Sequence, residues 1–363
     1  MKAVIYEAVY REGNLPALPV SSLEDLLQLM AVSGIDVIQM APPLTLGNQS
    51  PKYQVEKLLE VDPVIATANI WITHGLFPGS RDQIGVEVSD RLNIPYVLFE
   101  PSHRSDPPSS SEGIEATQQQ IAKADLIVST NSQVASALSA HARGDCRILE
   151  LLPFLDAEPC CSQALRKKMH RNSIASLHAL DSDVPWLLTW IPDLTDFAQS
   201  SVQMLAIAIS RLLHLKWHLI IGTPSAETGT VLNQFVAIPK ERIKVIPEQI
   251  AGSKYVLFSA VDLFVWPALH SSAIENLLFA QAAGVPVIAT DSCFVRDRVI
   301  NGQTGRLSLP GNVPSFAQSI EFCLRHQDFL STYSENCQKH VLSQRDVRQV
   351  ADAFRTELFQ FTT

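Results

Sequence analysis

The sequence predicts an α/β protein of two doubly wound, Rossmann-like domains facing a cleft. Three observations carry that reading. Short apolar runs alternate with helical periodicity from one end of the chain to the other. Those runs are apolar almost throughout, as in parallel strands covered on both faces, rather than alternating as in half-exposed ones. The chain has 363 residues and its rhythm restarts midway, whereas one hydrophobic core usually stops growing at about 250–300 residues.

Taken in order, residues 2–9 read as a strand, and 22–33 as an amphipathic helix with Leu23, Leu26, Leu27 and Met30 on one face. Residues 35–40 are a second strand, and a third lies within 63–73. A helix at 84–92, then strands at 96–99, 124–129 and 147–152, complete the first half. Residues 103–113 (HRSDPPSSSEG) are too rich in proline and serine for an element interior. They follow a strand end, where open α/β sheets bind ligands, so they read as a surface loop or a lid. Residues 156–183 are polar and weakly patterned, which suits a linker. Beyond them come strands at 186–190, 217–222, 242–246, 261–266 and 285–290, with a helix at 200–213. A last helix at about 347–361 follows a break near Leu342-Ser343. Asn301-Gly302 reads as a type I′ hairpin turn. The resulting domains are 1–160 and 175–342, with 343–363 a helix packing back toward the first.

Composition narrows the function. Hydrophobic residues make up 46% and charged residues 18%, outside the disordered range. The net charge of −9 argues against nucleic acid, whose phosphates need clustered Lys and Arg. The nearest basic cluster, Arg166-Lys167-Lys168 with Arg171, reads as a solvated helical face. No cysteine spacing matches a CxxC metal or redox motif, and no metal site is expected. The N-terminus has no signal-peptide pattern, and no apolar run approaches the ~18 residues that span a bilayer. A cytoplasmic location is expected, with peripheral membrane contact left open.

The stretch from Val261, VDLFVWPALHSSAIENLLFAQAAGVPVIATDSCFVRDRVINGQTGRLSLPGN, carries more. It resembles, without gaps, the donor domain of GT-B fold glycosyltransferases of retaining family 4, the glycosyl transferases group 1. Matching positions include Asp262, Pro267, Ala280, Gly284, Pro286, Thr290, Asp291, Gly302 and Gly305. Looser agreement in the same order covers most of residues 90–361. The resemblance implies transfer of a sugar from a nucleotide-diphosphate sugar to an acceptor (glycan, lipid or small molecule), with no metal or other cofactor. It assigns nucleotide-sugar contacts to Gly222 and Thr223 and to the turn of His270, Ser271, Ser272, Ala273, Ile274 and Asn276, where a loop enters a helix. Such a turn offers free backbone N–H groups and a positive dipole end to a diphosphate.

The charges of that family pattern are largely missing. Its two glutamates, eight residues apart, fall on Ser271 and Phe279, and its paired glycines on Cys293 and Phe294. Its diphosphate-binding Arg and Lys fall within 189–197 (TWIPDLTDF), which holds no basic residue. Each lost charged hydrogen bond costs about 1.5–3 kcal/mol. Glu275, one helical turn before Phe279, is a catalytic candidate in their place, or else the partner of Ser272 in a capping box. His103, after the strand at 96–99, is the catalytic candidate of the first domain; His74 is a weaker one. Two functions follow: an active nucleotide-sugar glycosyltransferase, or an impaired relative acting as a binding or regulatory subunit in a glycosyltransferase complex.

Overall fold

A computed structural model describes residues 1–10, 22–40, 50–76, 80–82, 84–101, 111–191, 196–223, 228–247, 254–267 and 274–361. The chain forms two compact units, one of Met1–Pro153 with Val347–Thr363, the other of Phe154–Asp346.

In the first unit the order is β1 (Lys2–Glu7), β2 (Val9–Tyr10), α1 (Leu23–Val32), β3 (Asp36–Met40), α2 (Pro51–Val61), β4 (Ile70–His74) and β5 (Ser80–Arg81). Then come α3 (Gly85–Leu92), β6 (Tyr96–Phe99), α4 (Ser111–Ile121), β7 (Leu126–Ser129), α5 (Ser132–Leu138) and β8 (Arg147–Glu150). Six strands form a sheet in the order β3-β1-β4-β6-β7-β8, every pair of it parallel. β4, β6 and β7 are buried at every position, which is why they read as unbroken apolar runs. Local chemistry sets the element ends: Ser22 and Asp25 close a full capping box at the start of α1. Asp82, buried, accepts from the backbone N–H of Ile84 and Gly85 at the start of α3 and from Trp71 Nε1, Thr73 Oγ1 and Tyr96 Oη.

The second unit opens with α6 (Glu158–Ala164) and α7 (Lys167–His178), followed by β9 (Trp186–Trp190), α8 (Asp196–Ser210), β10 (His218–Thr223), α9 (Thr228–Leu232) and β11 (Ile243–Pro247). It continues through α10 (Lys254–Ala260), β12 (Leu263–Trp266), α11 (Asn276–Ala282), β13 (Val287–Thr290) and α12 (Cys293–Arg296). β14 (Gly305–Ser308), α13 (Val313–Arg325), α14 (Gln327–His340) and a π-helix at Val341–Arg345 end it, and α15 (Val347–Phe359) returns to the first unit. Its sheet, β11-β10-β9-β12-β13-β14, is again six-stranded and parallel. One face packs Leu187, Leu219, Leu263 and Ile288 against α8 and α13; the other packs Leu188, Ile220, Phe264 and Val287 against α10 and α11.

Two expectations are corrected here. The polar stretch at 156–183 is not a linker but the two helices α6 and α7 of the second unit. Its weak apolar pattern reflects a narrow buried stripe, His170 and Ile174 on α7. Its charges reach the sheet instead: Lys167 Nζ and Arg171 Nη1 hold the Asp262 carboxylate at 2.9 and 2.8 Å, and Trp186 N donates to the same carboxylate. Burial alone would raise the Asp262 carboxyl, yet Lys167 and Arg171 hold it below the usual carboxylate range. Asn301-Gly302, in turn, is no hairpin turn. β13 and β14 run parallel, and only Gly302 has a positive φ (79°), as in a type II turn.

Candidate functional site

In the second unit the chain builds β9, β10 and β11 outward in one direction, then crosses back to place β12 on the other side of β9. That reversal is a topological switch point, and ligands of doubly wound sheets bind outside the carboxyl ends of its strands. The residues there are Trp190, Gly222-Thr223, Trp266-Pro267 and Thr290. Gly222 is required by packing: a Cβ would lie 2.4 Å from Trp190 Cε3. Ile191 N donates to Gly222 O at 2.8 Å, and Thr290 Oγ1 to Pro267 O at 3.0 Å, which fix the ends of β9 and β13.

Against this rigid frame three buried polar groups are left over. Thr223 Oγ1, Trp266 Nε1 and both side-chain atoms of Asn276 have no hydrogen-bond partner among the described residues. Thr223, Trp266 and Asn276 are 0%, 2% and 1% exposed. An unsatisfied buried polar group costs about 1–3 kcal/mol, so three at one sheet edge call for a function that repays the cost.

The described part of the turn before α11 is Ile274 and Glu275. The helix begins at Asn276, and Glu275 occupies the cap position in a helical conformation, its side chain making no cap hydrogen bond. Ile274 O accepts from Leu277 N at 3.1 Å, and Glu275 O from Leu278 N and Phe279 N at 3.0 and 3.1 Å. Glu275 thus stands at the start of the helix and is exposed, while Ser272, the other half of the expected capping box, lies outside the described residues. Phe279 meets the rings of Tyr255 and Phe258 at 5.6 and 6.4 Å, and Lys254 Nζ sits 3.8 Å from its ring centroid. An aromatic ring under an ammonium group therefore stands where the family resemblance expects a carboxylate. Arg296, past the end of β13, is tied to Asp291 by two bonds of 2.7 Å. Those bonds hold the Asp291 carboxyl below its usual range.

Of the residues singled out from the sequence, Gly222, Thr223, Ile274, Glu275 and Asn276 fall at this edge on either side of β9. His103, His270, Ser271, Ser272 and Ala273 lie outside the described residues. Lys254 and Trp266 were missed. Lys254 belongs to the site through a contact with Phe279, 25 positions along the chain (279 − 254), for which the sequence gives no signal. In the first unit, His74 ends β4 beside that sheet's own switch point, buried, its ring stacked on Phe99 at 6.0 Å. Glu100, one residue past β6, is buried with φ of 54°, and its Oε1 accepts from Thr130 N at 2.8 Å. A left-handed non-glycine at a strand end is not legible in sequence either. Among the described residues no group of three or more His, Cys, Asp or Glu is placed to hold a metal ion.

Residues 187–326 match the family described as Glycosyl transferases group 1. The capsular polysaccharide biosynthesis glycosyltransferase CapM of Staphylococcus aureus is 26% identical over 141 residues, 39% of this chain and 36% of that protein. The chain thus spans about a third of the curated relative it matches. HepE of Anabaena, solved with UDP and glucose, superposes with a TM-score of 0.67 at 14% identity, over 99% of this chain and 100% of HepE. The sucrose-phosphate synthase of Thermosynechococcus elongatus superposes with a TM-score of 0.69 at 14% identity, over 99% of this chain and 98% of the synthase. The chain is a two-domain α/β protein of the GT-B fold, and its residues 187–326 are similar to the family of glycosyl transferases group 1.

Proposed function

We propose that this protein transfers a sugar from a nucleotide-diphosphate sugar, of the uridine class, to an acceptor of glycan, lipid or small-molecule type. The observation that carries the reading is the trio of unpartnered polar groups on Thr223, Trp266 and Asn276 at the switch point of a donor-type domain. A bound nucleotide sugar would satisfy them. HepE, of the same fold, was solved with UDP and with UDP-glucose, which favours the uridine donor.

In this reading Gly222 and Thr223 flank the nucleotide, and the turn of His270, Ser271, Ser272, Ala273, Ile274 and Asn276 receives the diphosphate. Lys254 supplies the cation that residues 189–197 lack. Glu275 acts at the transferred sugar in place of the missing pair, and His103 is the catalytic candidate of the first unit. Fixed backbone N–H groups and the Lys254 ammonium stabilise the leaving diphosphate without a metal ion.

Titration calorimetry with UDP, GDP, ADP and UDP-glucose tests this. Saturable binding of the uridine ligands is expected, weakened about tenfold in Asn276→Ala, as for one lost hydrogen-bonding group. Glu275→Gln should keep UDP affinity and lose donor turnover. Failure of all four ligands to bind would overturn the reading.

A further inference from the structure

Two buried guanidinium groups come together in the second unit. Arg298, just past α12, and Arg345, the last residue of the π-helix, are each 6% exposed. A guanidinium does not shed its proton, so its burial has to be answered by an anion or by a full set of hydrogen bonds. Arg298 Nη1 donates to Phe294 O at 3.0 Å, and Gln281 Nε2 donates to the Arg298 carbonyl oxygen at 2.9 Å. Arg345 is less well answered. Its Nε donates to Nε2 of buried His340 at 3.2 Å, and a ring nitrogen that accepts belongs to a neutral imidazole. Its Nη1 is buried and has no hydrogen-bond partner among the described residues. The carboxylate of the next residue, Asp346, accepts from Ala157 N at 3.3 Å.

The electrostatics agree with the geometry. Burial first, and then the charge of Arg298, lowers the Arg345 guanidinium to about 10, which Asp297 offsets only in part. It is still protonated at neutral pH. Burial, and then Arg345, pushes His340 down to about 4, so the imidazole adds no charge near pH 7. The backbone is unusual at the same place. A π-helix is rare and often marks a functional site, and this one ends on the residue whose donor is unmatched.

We propose that Arg345, backed by Arg298, forms a binding site for a phosphoryl oxyanion in the second unit. The planar N–H fork of a guanidinium matches the oxygens of a phosphate. A phosphoryl group brings about 1.5–2 negative charges and three acceptor oxygens, enough to answer two adjacent cations, whereas a carboxylate brings one charge. The group arrives either as free orthophosphate or on a nucleotide diphosphate, with the same chemistry at the site. The inference uses none of the residues at the switch point and so stands apart from the donor reading.

Thermal unfolding of the full chain in rising orthophosphate, against sodium chloride of equal ionic strength, is the test. The wild-type melting temperature should climb with the logarithm of phosphate concentration once the site fills, and chloride should not reproduce the rise. Arg345→Met removes the buried charge and keeps an apolar stem, so in chloride it should melt no lower than wild type. It should need at least about tenfold more phosphate for the same gain, as for one lost charged hydrogen bond, while Arg345→Lys keeps part of the response. Phosphate also strengthens apolar burial in general, so the decisive quantity is the difference between wild type and Arg345→Met. An equal gain in both, or no gain in either, would overturn the proposal. So would an Arg345→Met protein that melts well below wild type in chloride, because the guanidinium would then be fully answered within the fold. Adding UDP separates the two sources. UDP that competes with phosphate, and weakens by the same factor in Arg345→Met, assigns the site to a nucleotide's diphosphate; phosphate binding indifferent to UDP assigns it to free phosphate. A chain that binds phosphate through Arg345 but no uridine ligand would keep this site and sink the donor reading.

Discussion

Asp262 illustrates how one residue can matched a family pattern for structural reasons. It sits before β12, accepts from Lys167, Arg171 and Trp186 N, and so ties α7 to two adjacent strands of the sheet. Asp262→Asn should lower stability by about 2–4 kcal/mol, because it leaves two cations facing an amide. The sign of the pH dependence follows from the shift. A carboxyl held below its ordinary value of 3.8 contributes stability above that pH, and loses it as pH falls through the folded value. The melting-temperature gap between wild type and variant should therefore be steady near neutral pH and close below about pH 3.8. A gap unchanged in acid would mean that charge is not the cause. Site residues obey a different logic. Register with a family pattern singles out Asn276 and Thr223 as candidates, but not the fact that their buried polar atoms have no partner among the described residues. Lys254 was invisible, since its role depends on Phe279. If it supplies the missing cation, Lys254→Ala should weaken UDP binding by about tenfold, as for a charged hydrogen bond. Lys254→Arg should keep most of it. Calorimetry that finds the alanine variant indistinguishable from wild type would return Lys254 to a purely packing role.

At the scale of elements, the strands were the most legible part because burial on both faces forces continuous apolar runs. Tyr96–Phe99 and Trp186–Trp190 were placed without error, each fully buried. The failures were elements whose stability comes from charge or backbone geometry. α7 has a buried stripe of only two residues and spends its cations on Asp262, so it looked like a linker. Asn301-Gly302 looked like a hairpin because that dipeptide suits one, yet the next strand pairs in parallel. What β14 does require is Gly305. A Cβ there would lie 2.0 Å from the carbonyl oxygen of Val287, a backbone atom that cannot move without breaking the β13–β14 ladder. Gly305→Ala should cost about 3 kcal/mol or more, at the upper end for overpacking. Thermal or urea unfolding measures it. A loss under 1 kcal/mol, the smallest overpacking penalty usually seen, would show that β14 can slide away from β13.

For the whole molecule, the chain is not two beads on a string. It leaves the first unit at Pro153, builds all of the second, and returns at Val347 to finish the first. The return is a structural necessity. α15 buries Val347, Val350, Phe354 and Leu358. Phe354 meets the ring of Phe99 edge-on at 6.2 Å, and Arg147 of β8 reaches Glu357 and Gln360. Fully burying one large apolar side chain contributes about 1.5–3 kcal/mol, so four of this helix approach the 5–15 kcal/mol by which a whole domain is stable. The second unit closes on itself before that point. Leu155 N donates to Arg345 O at 3.0 Å and Ala157 N to Asp346 Oδ2 at 3.3 Å, which pins its first and last residues together. Ending the chain after Asp346 should therefore unfold the first unit while sparing the second. Limited proteolysis of the truncated protein should degrade residues 1–153 and leave a resistant fragment of 154–346. Because the orphan groups on Thr223, Trp266 and Asn276 belong to that fragment, it should still bind UDP. Survival of residues 1–153 with native protease resistance would show that the last helix is dispensable, and that its buried face contributes far less than its area implies.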